Sequence, residues 1–135
     1  MFYLPVLAVY NQASFPTGIV SLPLLRSVFL RERIDIVHAH SAFSSLGNEA
    51  LLAAGILNIH TVFTDHSLFG FSDISAIATN RILQFTFANV SHVICVSHTG
   101  RDNTSLRSGV QPDRISVIPN AIDPCSFRPL HPHDE

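Results

Sequence analysis

Hydrophobic positions along the chain switch between two rhythms. Short apolar runs predict buried strands at Phe2–Val9, Ile34–His38, Ile59–Thr64, His92–Val96 and Arg114–Ile118. Between them, apolar residues recur at three- and four-residue steps. Leu22, Leu25, Val28 and Phe29 predict a helix from about Ile19 to Arg33. Pro23 places its start near that proline, and Arg31 and Arg33 suit its last turn, where the helix dipole favours cations. A second helix is predicted over Phe43–Gly55, with Gly55 as C-cap. A third runs from a cap at Ser72 or Asp73 to about Ala88. A fourth covers Thr99–Gly109, with Thr99 and Asp102 in capping-box spacing. Tyr10–Gly18 reads as a loop, as does Ser67–Phe71. The sequence shows no internal repeat.

Strands that alternate with helices and are themselves nearly continuous apolar runs are buried on both faces. The fold class is therefore α/β: a Rossmann-like parallel sheet with helices on both faces. One domain is expected over residues 1–129, and residues 130–135 form a loose tail or truncated linker. A strand starting at residue 2 suits a chain cut from a longer one.

In such sheets ligands bind beyond the carboxyl ends of the strands. Four strands end in polar side chains there: His38, His40 and Ser41; Asp65, His66 and Ser67; Ser97; and Asn120 with Asp123. Together they line a crevice suited to a polyhydroxylated or phosphorylated molecule. Each also has a plainer reading. His38 lies within its strand and reads first as a core residue. Asp65 or His66 can cap the following loop, and Ser97 can be a simple helix N-cap. Asn120 and Asp123 can close an Asx-turn.

Composition narrows the chemistry. All eight basic residues other than histidine are arginines, so the chain has no lysine, against eight histidines. That excludes a P-loop and a pyridoxal Schiff base within these residues. A net charge of −2 with scattered arginines gives no basic stripe, so no nucleic-acid partner is expected. No apolar run reaches the roughly 18–20 residues that span a bilayer, and no signal peptide is visible. Cys95 reads as a packed core thiol and Cys125 lies in a proline-rich stretch, which favours a reducing compartment. Sequons at Asn89 and Asn103 argue weakly against this.

Two function classes compete on these residues. His38, His40, Asp65 and His66 offer four ligands for a zinc-dependent hydrolase, although the chain is too short for an eight-stranded barrel. A non-catalytic phosphosugar-binding α/β module is the other.

Longer motifs favour a third reading. Ser21-Leu-Pro-Leu-Leu-Arg26, Ile36-Val-His-Ala-His-Ser41, Thr61-Val-Phe-Thr-Asp-His-Ser-Leu-Phe-Gly-Phe71, His92-Val-Ile-Cys-Val-Ser97 and Ile115-Ser-Val-Ile-Pro-Asn-Ala-Ile-Asp123 closely resemble the catalytic subunits of phosphatidylinositol N-acetylglucosaminyltransferase, the PIG-A family. These are retaining glycosyltransferases of the GT-B type. The resemblance runs from about Phe2 to Pro129. It implies transfer of N-acetylglucosamine from UDP-N-acetylglucosamine to phosphatidylinositol, the first step of glycosylphosphatidylinositol (GPI) anchor biosynthesis. It implies a multi-subunit complex at the cytosolic face of the endoplasmic reticulum membrane, with no cofactor and no metal.

By the same resemblance, His66 faces the transferred sugar, and Asp65 and Ser67 position it. His40 and Ser41 line the acceptor side. Ser97 opens a helix at the cleft, and Asn120 and Asp123 form the turn towards the interdomain linker. Read from its residues alone, the apolar Leu68-Phe-Gly-Phe71 loop is either a candidate contact for lipid or a partner subunit or, equally, a buried loop. The family's Gly-Gly loop and its donor-binding domain have no counterpart in these residues. The chain thus resembles an incomplete N-terminal domain, expected to be inactive alone.

Overall fold

The computed structural model describes residues 8–10, 13–14, 18–42, 44–66, 81 and 84–123. Strands β1 (Ala8–Tyr10) and β2 (Ala13–Ser14) form a small antiparallel pair. The second of these lies where the sequence predicts only loop. Helix α1 (Gly18–Arg31) leads to β3 (Ile36–His40), and α2 (Ser45–Ile56) to β4 (His60–Asp65). Residues 84–87 are helical and precede β5 (His92–Cys95). Helix α3 (His98–Ser108) and a 3-10 turn (Pro112–Arg114) lead to β6 (Ile115–Val117).

The last four strands form one parallel sheet in the order β3-β4-β5-β6. Its register aligns Ala39 with Phe63, Phe63 with Val93, and Val93 with Ile115. Side chains alternate across a strand, so these residues share one face. That face is the core. Ala39, Leu51, Phe63, Phe87, Val93, Cys95 and Ile115 form one buried cluster, with the Phe63 and Phe87 rings 4.5 Å apart. Beside it, Leu25 and Phe29 of α1 pack with Ala53, Ala54 and Val37. All the described helices cover this side, because strands in sequential order put successive crossovers on one face. Helices are expected on both faces from the apolar runs. Among the described residues, however, the second face carries Ile36, His38, His40, His60, Val62 and Ile94, exposed or half-buried, and the buried Thr64.

Two helix ends correct the expected caps. α1 begins before Pro23 and runs through it, although proline supplies no backbone donor there. The helix stops at Arg31, and Arg33 takes a left-handed conformation (φ 52°). Arg33 N donates to Leu30 O, and Ile34 N donates to Phe29 O at 3.0 Å. This is a Schellman closure, with Ile34 packed near Phe29. α2 ends in the same way. Gly55 stays inside the helix, Asn58 holds φ 56°, and Ile59 N donates to Ala54 O. At its start Ser44 caps Gly47 N at 3.1 Å. The expected helix between β4 and β5 lies mostly outside the described residues, as does the tail at 130–135.

Candidate functional site at the strand ends

Strands β3 and β4 end side by side, with His40 paired in register to Thr64. One further backbone bond, Ser41 N to Thr64 O at 3.3 Å, extends the ladder. Ser41 then adopts φ 67°, a left-handed conformation that a non-glycine residue holds at a cost. The chain therefore turns sharply straight after His40, leaving that ring at the rim.

Three imidazoles meet there. His38 and His40 lie two residues apart on the same face of β3, their ring centroids 4.4 Å apart. His38 Nε2 contacts Thr64 Oγ1 at 2.8 Å. His40 Nδ1 contacts His66 Nε2 at 3.2 Å. The His40 and His66 planes differ by only 14°, and their centroids are 5.5 Å apart. That separation exceeds the nitrogen–nitrogen distance by about two ring radii, so the rings meet edge to edge. His40 and His66 are both exposed. His38 is exposed too rather than in the core, yet its Nε2 is satisfied by Thr64. Partial burial, and then the neighbouring His40, lower its pKa from the ordinary value.

Asp65 points the other way. It is 3 % exposed, and its Oδ2 accepts a hydrogen bond from Thr104 Oγ1 at 2.8 Å. The Cys95 thiol lies 3.5 Å from the same hydroxyl. Burial pushes that thiol's pKa up, in keeping with a packed core cysteine. Arg107, also buried, is lowered from its ordinary value by desolvation, with the Asp65 charge opposing this. Asp65 thus braces the root of His66 from inside the core and does not line the rim. A zinc set of His38, His40, Asp65 and His66 does not assemble, because the carboxylate and the imidazoles lie on opposite faces. Among the described residues no group of three potential ligands is placed to hold a metal ion.

Of the other candidates, Ser97 caps α3, its Oγ accepting from Gly100 N at 3.0 Å. The expected Thr99 cap therefore falls two residues too late. Asn120 and Asp123 are exposed beyond β6, whose end is tied to β5 by Ile118 N donating to Cys95 O. Ser67 and the Leu68–Phe71 loop lie outside the described residues. Sequence reasoning misses Thr64 and Thr104. Nothing in local sequence marks a threonine that braces another strand; only the topology reveals it.

Relatives place this geometry in a family. The chain is 49 % identical over 129 residues to a human subunit of phosphatidylinositol N-acetylglucosaminyltransferase, covering 96 % of the chain and 27 % of that protein. It is 47 % identical to the gpi3 subunit of the same enzyme from Schizosaccharomyces pombe and 46 % identical to the corresponding subunit from Arabidopsis thaliana, covering 28 % and 29 % of those proteins. The chain thus spans less than a third of the curated relatives it matches.

Among solved structures, a UDP-N-acetylglucosamine 2-epimerase matches with a TM-score of 0.62 at 20 % identity, over 82 % of this chain and 31 % of the other. The Neisseria meningitidis UDP-GlcNAc 2-epimerase, solved with UDP-GlcNAc bound, matches with a TM-score of 0.58 at 17 % identity, over 74 % of this chain and 26 % of the other. These likenesses concern the fold, an α/β unit of GT-B type. The family model for PIGA (GPI anchor biosynthesis) matches residues 1–73, more than half of the 135 residues, and the chain belongs to that family.

Proposed function

We propose that this chain forms part of the acceptor-side wall of a phosphatidylinositol N-acetylglucosaminyltransferase. The carrying observation is the His40–His66 pair, set at the carboxyl ends of adjacent parallel strands on an open rim. In this reading the enzyme moves N-acetylglucosamine from UDP-N-acetylglucosamine to phosphatidylinositol with retention, opening GPI-anchor synthesis. His66 faces the transferred sugar, Asp65 holds its backbone, and Ser67, next in the sequence, is the proposed second positioning residue. His40 and Ser41 lie on the acceptor side. Ser97 presents the N-terminus of α3, whose free N–H groups suit an anion. Asn120 and Asp123 shape the turn that leaves the domain.

None of these groups serves as general base. The leaving diphosphate takes the acceptor proton as the new glycosidic bond forms on the same face of the sugar. The grip on the departing diphosphate, commonly the largest catalytic contribution, is assigned to the part of the longer relatives that this chain does not match. Partners are the other subunits of the complex, at the cytosolic face of the endoplasmic reticulum membrane. Among the described residues no helix is long and apolar enough to cross a membrane.

The test replaces the matching segment of the human protein with this chain and measures N-acetylglucosaminyl-phosphatidylinositol formation in membranes lacking the native protein. Activity is expected from the chimera and none from the chain alone. His66→Ala should abolish turnover while donor binding stays near normal. An assembled but inactive chimera, or an undiminished kcat in His66→Ala, overturns the reading.

A further inference from the structure

The contact between His40 and His66 engages one nitrogen of each ring, His40 Nδ1 and His66 Nε2, and that choice decides which atom of His66 is left for the cleft. An imidazole has two nitrogens, and the hydrogen bond made by one fixes the state of the other. His66 spends Nε2 on His40 Nδ1 at 3.2 Å. Its Nδ1 is the remaining polar atom of the ring. The near-coplanar, edge-to-edge arrangement leaves the Nδ1 edge turned away from β3.

His40 is itself held. The His38 ring flanks it at 4.4 Å, and His38 is tied across the strands to Thr64 at 2.8 Å. Thr64 immediately precedes Asp65, which is anchored to α3 by Thr104. After His40, the left-handed turn at Ser41 carries the backbone off the rim. Both neighbours of the pair are thus fixed, and the pair is the end of a line of contacts running from Thr64 through His38 and His40 to His66.

We propose that His40 is a positioning residue that selects the rotamer and tautomer of His66, so that His66 meets the transferred sugar through Nδ1. This deepens the proposed function and rests on its placement of His66 at the sugar. It differs from direct acceptor contact by His40 in a measurable way. A positioning role lowers turnover, whereas an acceptor contact weakens phosphatidylinositol binding. Both rings are exposed, so replacing His40 does not open a cavity in the core.

The experiment compares His40→Phe, His40→Asn and His66→Ala in the full-length chimera, assembled in membranes. Phenylalanine keeps a ring beside His38 but has no nitrogen. Asparagine returns a polar atom near the place of Nδ1. His40→Phe is expected to lower kcat about tenfold, the scale of one lost positioning hydrogen bond. KM for UDP-N-acetylglucosamine and for phosphatidylinositol should stay within about twofold, and His40→Asn should recover most of kcat. An unchanged kcat in His40→Phe overturns the proposal if His66→Ala is inactive. So does a raised phosphatidylinositol KM with normal kcat, or an asparagine variant as poor as phenylalanine. Full activity in His66→Ala would instead overturn the placement of His66 on which the proposal rests.

Discussion

Thr104 Oγ1 donates to Asp65 Oδ2 at 2.8 Å, joining the middle of α3 to the end of β4 across 39 residues. Both are almost wholly buried, at 1 % and 3 % exposure. A buried acceptor that loses one of its hydrogen bonds forfeits about 1–3 kcal/mol. Thr104→Val keeps the shape and removes the hydroxyl. It should lower stability by about that amount, while Thr104→Ser loses less. Urea midpoints of the chain measured side by side check this; equal midpoints for the wild type and Thr104→Val would contradict the bracing role of Asp65.

Ser97 separates a cap from a ligand. Its Oγ satisfies Gly100 N at 3.0 Å, and removing such a cap costs about 1 kcal/mol. Ser97→Ala should therefore lose about 1 kcal/mol of stability. Ser97→Asp should retain the cap, because aspartate caps as well as serine. If the N-terminus of α3 also meets a phosphate, Ser97→Asp in the chimera will raise the donor KM while stability is held. The pair of variants reads the two roles separately.

The sheet and the rim are legible in the sequence because both rest on periodicity. Apolar runs locate every strand of the parallel sheet, and His40, His66, Ser97, Asn120 and Asp123 fall at its carboxyl-end rim, whereas Asp65 turns into the core and Ser67 lies outside the described residues. Strand limits are less legible. The apolar run places β3 at Ile34–His38, whereas the strand occupies Ile36–His40, because Ile34 is consumed in closing α1. Two residues of slippage along a strand keep a side chain on its face, so His38 and His40 still share one. Alternation along β4 puts Asp65 on the same face as Phe63, but what a carboxylate meets there cannot be read locally. Thr104 donates to it, and that meeting depends on α3 packing back over the sheet beside β5 and β6. The left-handed positions are hidden for a related reason. Glycine is the natural candidate at Gly55, yet Asn58 holds the turn, as asparagine tolerates that conformation better than most residues.

Ser41 carries backbone strain at the rim, with φ 67°. A non-glycine residue in this region costs roughly 1–2 kcal/mol. Part of that is returned by glycine, less the entropy glycine adds to the unfolded chain. Ser41→Gly should thus raise stability by up to about 1 kcal/mol, and the β-branched Ser41→Val should lower it. In the chimera Ser41→Gly should be slower despite its greater stability, since it removes the hydroxyl proposed on the acceptor side. Chemical denaturation and initial rates on the same preparations test both parts. A Ser41→Gly protein that is both more stable and fully active would leave the hydroxyl without a role.

His38 supplies the pH dependence whose sign is set by the fold. Burial, and then His40, hold its folded pKa below the ordinary value of 6.5. Between that lower folded value and 6.5 the unfolded chain binds the proton and the folded chain does not. Stability therefore rises with pH through this window, is fully present above the unfolded pKa, and is lost as pH falls through the folded one. His38→Asn retains polarity at the position but does not titrate. Its unfolding free energy should fall less steeply than that of the wild type as pH drops below about 6.5. The measurement is the difference between the two proteins in parallel urea titrations at each pH, which cancels the carboxylates common to both. Parallel curves across the window would show that protonation of His38 is not coupled to folding, and that its contacts to Thr64 and His40 hold equally well with the ring charged.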